Sequence, residues 1–257
     1  MVPLEIRLIP LKLWRSYLVC TLKELFGIRC HDDFYVRRYL KGKYEVISGL
    51  FKGMKYLDVT HCSALIPKLV GTYEEEISDW LKDSGKYRNI INLGCAEGYY
   101  AVGLGLKNST SNVLAVDISP IARKMCNKLI KLNSVGNVDV KSSLTKRDIK
   151  ALKEGLVICD IEGDEVGLLN PKKNQDLLDY DYIIECHDFI RPSTSILINR
   201  FRKSHVVDLV LKKDRYPEDY SHLKKLPEEV VKHLVYEGRE GAGRMAWIRL
   251  TRDKKNG

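Results

Sequence analysis

The chain has 257 residues, 44% apolar and 30% charged, enough to bury a sizeable core without disulfide or metal staples. Its formal charge is +9, from 43 basic against 34 acidic residues, but the lysines form no long run and no interleaved aromatics accompany them; a solvated exterior is expected, not a nucleic-acid groove. Seven cysteines without one Cys-x-x-Cys pair exclude zinc-ribbon spacing, and free thiols suit a reducing compartment, so the cytoplasm is the expected location.

In chain order, Leu4, Leu8, Leu11, Trp14, Leu18, Leu22 and Leu25 recur at steps of three and four. They predict a helix with one apolar face despite Pro10. That face covers the body of its own protein, lies on a membrane, or pairs two copies in a homodimer. Glu5, Arg7, Lys12 and Arg15 interrupt the segment, so it lacks the apolar core of a signal peptide. No stretch reaches the roughly 20 apolar residues of a spanning helix. A second helix is expected over "TYEEEISDWLKDSG", with Thr72 as cap, Glu75 three residues on and Gly85 past its end. Residues 1–85 thus read as a mostly helical extension or substrate cap. Lys68, Tyr73 and Glu75 either line an entrance there or simply belong to an amphipathic helix and its cap.

From about residue 88, strand candidates follow one another: "RNIINLG", "NVLAVD", "NVDVKSS", "LVICDIE", "YIIECHD", "HVVDLVL" and "MAWIRL". Their nearly continuous apolar runs suit strands covered on both faces. Helical segments separate the first six, which predicts an α/β domain over 86–257 with a mainly parallel sheet between helices. The last two candidates, joined by a long polar connection, are expected to pair antiparallel at one edge.

In open α/β sheets ligands bind beyond the carboxyl ends of the strands, where strand order reverses. The first strand ends at Leu93, so Gly94, Cys95, Ala96, Glu97 and Gly98 form a turn of the kind that lets backbone approach a ligand. Asp117 ends the second strand, with Ile118 beside it; one carboxylate can hold the two hydroxyls of a ribose. Dinucleotide binding needs Gly-x-Gly-x-x-Gly, and Ala96 stands where its middle glycine would be. Glu97 adds negative charge where a diphosphate would want bare N–H groups. Asn92, Glu97 and Asp117 instead suit a cationic sulfonium with an ammonium group, S-adenosylmethionine.

Two further strand ends carry chemistry. In "CDIEGDE" Asp160 and Glu162 share one face, and in "IIECHD" Glu185 and His187 do. Each set either caps the next helix and pairs with lysines, or surrounds a methyl donor. If the acceptor is a hydroxyl, its proton must be taken up, and His187 is the leading candidate base, with Glu162 or Glu185 orienting it or the substrate. The same four groups are acceptable ligands for a divalent ion, a reading ranked below the simple base, so no metal is expected.

These segments resemble the FkbM family of S-adenosylmethionine-dependent methyltransferases, through "INLGCAEGYYAVGLG", Asp117, "VICDIEGDEVGLL" and "YIIECHD". The likeness runs from about Lys55 to the end; its most specific element is the pattern Asp-x-Glu-Gly-x-Glu. It implies a class I methyltransferase (Rossmann-like) sheet of seven strands in the order 3-2-1-4-5-7-6, with the seventh antiparallel. It also implies O-methylation of a small-molecule or glycan-like acceptor. Two departures stand out. Asn92 occupies a place that is commonly acidic, and "KSSLTKRD" replaces the usual Gly-Asp, leaving Ser142, Ser143 or backbone to hold the adenine amino group. The rival readings are an RNA or protein methyltransferase and a cofactor-binding protein without catalysis. Against adenine methylation, "DIEG" stands where base-methylating enzymes often carry Asn/Asp-Pro-Pro-aromatic.

Overall fold

A computed structural model describes residues 36–237 and 245–253; the helix predicted over Leu4–Leu25 lies outside them. The apolar runs become strands β1 (Asn89–Leu93), β2 (Asn112–Val116), β3 (Val138–Lys141), β4 (Leu156–Cys159), β5 (Asp181–Cys186), β6 (His205–Leu211) and β7 (Ala246–Arg252). They form one sheet in the order β3-β2-β1-β4-β5-β7-β6. The first five are parallel, and β7 pairs antiparallel with both β5 and β6. The expected topology and the expected antiparallel edge are both present. Strand order reverses at β1, which has β2 on one side and β4 on the other, so a crevice opens beyond Leu93.

Alternation along the strands divides the core in two. Ile90, Val113, Ala115, Ile158, Ile183 and Trp247 face one layer; Ile91, Leu93, Leu114, Val157, Tyr182 and Ile248 face the other. Both sets are buried, as near-continuous apolar strands require. The first layer continues through Tyr99, Tyr100 and Leu104 into residues 36–81 and 220–235, so this upstream segment shares the core of the sheet.

Upstream of the sheet the structure departs from the expected helix. Leu65–Val70 forms a short helix, α1, that ends at Gly71, whose φ of 84° makes the left-handed cap. Thr72 does not act as the cap: its hydroxyl is buried without a hydrogen-bond partner among the described residues. Glu74 sits at φ 48°, which breaks the helical path, and its carboxylate accepts from the Tyr100 hydroxyl at 2.5 Å. Only a 3-10 turn (Glu75–Ile77), α2 (Ser78–Lys82) and a second 3-10 turn (Asp83–Lys86) follow.

Between strands run α3 (Tyr99–Lys107), α4 (Pro120–Asn133), α5 (Lys146–Ala151), the one-turn α6 (Glu165–Leu168) and α7 (Ser193–Phe201). The polar connection before β7 also carries a helix, α8 (Glu228–Val235). Ser119 caps α4 by accepting from Ala122 N–H, with Pro120 at the first helical position. In α5, Thr145 and Asp148 form a reciprocal capping box. Thr145→Ala should lower stability by about 1 kcal/mol in urea unfolding; no change in midpoint would show that the box contributes nothing.

Candidate active site

The turn after β1 is forced by its neighbours. Gly94 has φ 75°, and a Cβ there would lie 1.6 Å from the carbonyl oxygen of Asp160. The N–H groups of Gly94 and Cys95 both donate to the carbonyl of Val116, at 2.9 and 3.1 Å. Ala96 is left-handed at φ 46°, which aims its N–H at Asp117 Oδ2, 2.9 Å away. Ser119 N–H donates to the other oxygen, Oδ1, at 2.8 Å. Burial pushes the Asp117 carboxyl up, and these backbone donors only partly offset it, so it titrates above its ordinary value. Each oxygen keeps a lone pair for a further donor. Next to it Ile118 is 77% exposed, an apolar surface at the mouth of the crevice. Ser142 and Ser143 follow β3 at the same edge of the sheet, both exposed. Asn92, on β1, is buried, and neither atom of its amide has a hydrogen-bond partner among the described residues. Such a group asks for a polar ligand.

At the next strand ends, β4 and β5 bring four carboxylates around one imidazole. His187 is buried. Its Nδ1 lies 2.8 Å from Glu165 Oε1, and that same oxygen accepts from Gly163 N–H at 2.9 Å. Its Nε2 lies 3.4 Å from Glu162 Oε2, 3.6 Å from Asp160 Oδ1 and 3.9 Å from Glu185 Oε2. The turn that presents them is tight, with Glu162 at φ 56° and Gly163 at φ 108°. Burial pushes the imidazole pKa down, but the Glu165 hydrogen bond and the charges of Asp160 and Glu162 outweigh it and raise it to about 9.

No family model matches the chain, and no curated protein matches it in sequence. Solved structures do match in shape. The delta-N METTL16 MTase domain superposes with a TM-score of 0.51 at 13% identity, covering 88% of this chain and 95% of that one. A SAM-dependent O-methyltransferase from Thermotoga maritima gives 0.46 at 11% identity, over 71% and 66% of the two chains. M. jannaschii TYW2, in complex with AdoMet, gives 0.42 at 16% identity over 71% and 77%.

The fold is that of a class I methyltransferase.

Within the class I fold, the structure gathers Asn92, the Gly94–Gly98 turn, Asp117, Ile118, Asp160, Glu162, Glu185 and His187 along the carboxyl edge of β1, β2, β4 and β5. Glu97 is the exception. Its carboxylate turns away into the upstream segment and is fully buried. It accepts from Lys68 Nζ at 2.5 Å, the Tyr56 hydroxyl at 2.6 Å and His61 N–H at 3.0 Å. Its charge is thus matched by Lys68, and the electrostatic preference expected from Glu97 must rest on other groups. Lys68 and Tyr73 line no entrance: both are buried, with the ammonium 4.6 Å from the centre of the Tyr73 ring. His187, the expected base, is held among carboxylates that favour its protonated form, which works against a role as proton acceptor. Glu165, which sets the ring, is visible in the sequence as the last residue of the Asp-x-Glu-Gly-x-Glu pattern, but nothing in that pattern assigns it a role.

Proposed function

We propose that this chain is an S-adenosylmethionine-dependent methyltransferase that methylates a hydroxyl oxygen on a small-molecule or glycan-like acceptor. The observation that carries this reading is the Asn92 amide on β1, buried without a hydrogen-bond partner among the described residues, together with Asp117 just past the end of β2, on either side of the sheet's reversal point. The residues fit the cofactor. Asp117 keeps lone pairs for ribose hydroxyls, Ile118 offers an apolar face to a base, Asn92 offers a buried amide to the amino-acid portion, and Ser142 or Ser143 stands near the adenine edge. When bound, S-adenosylmethionine supplies an electrophilic methyl group on a good leaving group.

The chain's own task is to align an acceptor oxygen and manage its proton. Glu162, whose side chain is 59% exposed, stands between the buried groups and solvent and is placed to receive that proton. Asp160, Glu185 and His187 orient the acceptor. The FkbM likeness supports oxygen as the methylated atom. A polyanionic RNA acceptor fits less well, because four carboxylates crowd the strand ends and would repel its phosphates.

Calorimetry should show binding of S-adenosylmethionine and its demethylated product, with Asp117→Ala weakening both by roughly tenfold or more, the scale of a hydrogen bond to a charged group. Tight NAD binding with no response to S-adenosylmethionine overturns the reading. Binding without turnover across a broad panel of hydroxylated acceptors favours the cofactor-binding alternative.

A further inference from the structure

Ile158 and Ile183 are in register on the adjacent parallel strands β4 and β5, so Asp160 and Glu185, each two residues further on, stand level on one face. His187 follows Glu185 by two. One ligand atom from each of these three residues lies within 4.8 Å of the other two. The Nε2 separations of 3.6 Å to Asp160 and 3.9 Å to Glu185 exceed hydrogen-bond length. They match two donors that share an ion, since donor distances of about 2.1 Å place pairs roughly 3.0–4.2 Å apart. Glu185 and His187 are buried, while the Asp160 side chain is 24% exposed, so the set opens on one side only. Asp160 Oδ1, the atom that faces Nε2, is itself buried without a hydrogen-bond partner among the described residues.

Glu165 gives a second, independent sign. It is fully buried, and it engages Nδ1 of His187, which leaves Nε2 turned to Asp160 and Glu185. A carboxylate behind a histidine is the arrangement that orients a metal-binding imidazole. Glu165 Oε2 has no hydrogen-bond partner among the described residues. Among the described residues His187 is the one cationic side chain within ion-pair distance of either Asp160 or Glu165. Carboxylates gathered around a single imidazole in a largely buried place call for a counter-ion.

We propose that Asp160, Glu185 and His187 bind one divalent first-row transition-metal cation, with Glu165 orienting His187 and Glu162 at the rim. An imidazole together with two carboxylates suits Mn²⁺, Fe²⁺ or Zn²⁺ better than Mg²⁺ or Ca²⁺. The open side leaves room for oxygens of an acceptor, whose hydroxyl a cation would acidify. That last role rests on the proposed methyl transfer; the binding site itself does not.

The test is a Mn²⁺ titration of the full chain followed by electron paramagnetic resonance, with neither S-adenosylmethionine nor acceptor present. One ion per chain should bind. Asp160→Asn and Glu185→Gln should each weaken it at least about tenfold, and Glu165→Gln by roughly 10–100-fold as an orienting carboxylate. Circular dichroism checks that each variant folds. If Glu185→Gln does not, anomalous diffraction from Mn²⁺-soaked crystals of the unaltered chain asks the same question, with a peak expected between the three ligands. No binding of Mn²⁺ or Zn²⁺ at millimolar concentration, binding indifferent to Asp160→Asn, or a peak elsewhere overturns the site. Cofactor calorimetry on the same sample separates the two proposals: S-adenosylmethionine binding without Mn²⁺ binding sinks only the cation, and the converse sinks only the methyltransferase reading.

Discussion

Gly94→Ala should cost on the order of 4 kcal/mol or more in urea unfolding, the range reached when core backbone is forced apart. Two effects add. At φ 75° a left-handed alanine costs roughly 1–2 kcal/mol by itself. The new Cβ would also lie 1.6 Å from the Asp160 carbonyl oxygen and 2.7 Å from its carbon. Those are backbone atoms of the turn that follows β4, so no side-chain rotation relieves the overlap and the ends of β1 and β4 must separate. Two controls divide the cost. Gly53 has φ 90°, but a Cβ added there would meet nothing within 4 Å, so Gly53→Ala should show the conformational part alone. Gly136 has open space and no positive φ, so Gly136→Ala should stay within about 0.5 kcal/mol. If Gly94→Ala costs no more than Gly53→Ala, close approach of the two strands is not what the glycine serves. Because Asp160 belongs to this contact, a folded remnant of Gly94→Ala should also bind Mn²⁺ more weakly.

The sheet is legible in the sequence because its information is local. Each strand is a short apolar run, and strands buried on both faces must be apolar throughout, so Ile90, Ile91 and Leu93 announce β1 without knowledge of their neighbours. The glycine turn and Asp117 are legible for a similar reason: the end of one strand and the end of the next lie side by side in a parallel sheet. The match of Ala96 N–H to Asp117 Oδ2 is that adjacency made specific.

What stays hidden depends on partners far away in the chain. Glu97 lies in the glycine turn by sequence, yet its side-chain direction is set by Lys68, 29 positions earlier. Lys68 sits in α1, a six-residue helix with Pro67 inside it, too short to leave a periodic signal. Thr72 has the pattern of a cap, but Glu74 leaves the helical path and binds Tyr100 instead. His187 is recognisable as reactive, while its protonation depends on Glu165, Asp160 and Glu162 converging from the other strand end. Helix α8 escapes a sequence reading because its apolar positions, Val231, Leu234 and Val235, follow a long polar stretch that reads as loop.

The buried ion pair between Lys68 and Glu97 should behave as a unit. Lys68→Met or Glu97→Gln alone removes one charge and strands the other, with an expected loss of about 3–5 kcal/mol, whereas the double variant should recover much of it. Urea unfolding of all four proteins closes the cycle; additive losses would mean that the two charges do not depend on one another. Acid provides a second readout. Burial pushes the Glu97 carboxyl up, but the Lys68 ammonium, the Tyr56 hydroxyl and the His61 N–H together bring it below its ordinary value of 4.5. A carboxyl depressed by folding stabilises the fold above its unfolded value, and that contribution fades as pH falls through the lower folded value. Acid unfolding below about pH 4.5 should therefore be steeper in the unaltered protein than in the double variant, with no difference in pH dependence near neutrality. The pair also anchors the middle of the glycine turn, since Glu97 lies between left-handed Ala96 and Gly98 at φ 102°. The single variants should accordingly bind S-adenosylmethionine more weakly while their Mn²⁺ affinity is unchanged, because the Glu97 side chain turns away into the upstream segment, whereas Asp160, Glu185 and His187 stand at the ends of β4 and β5.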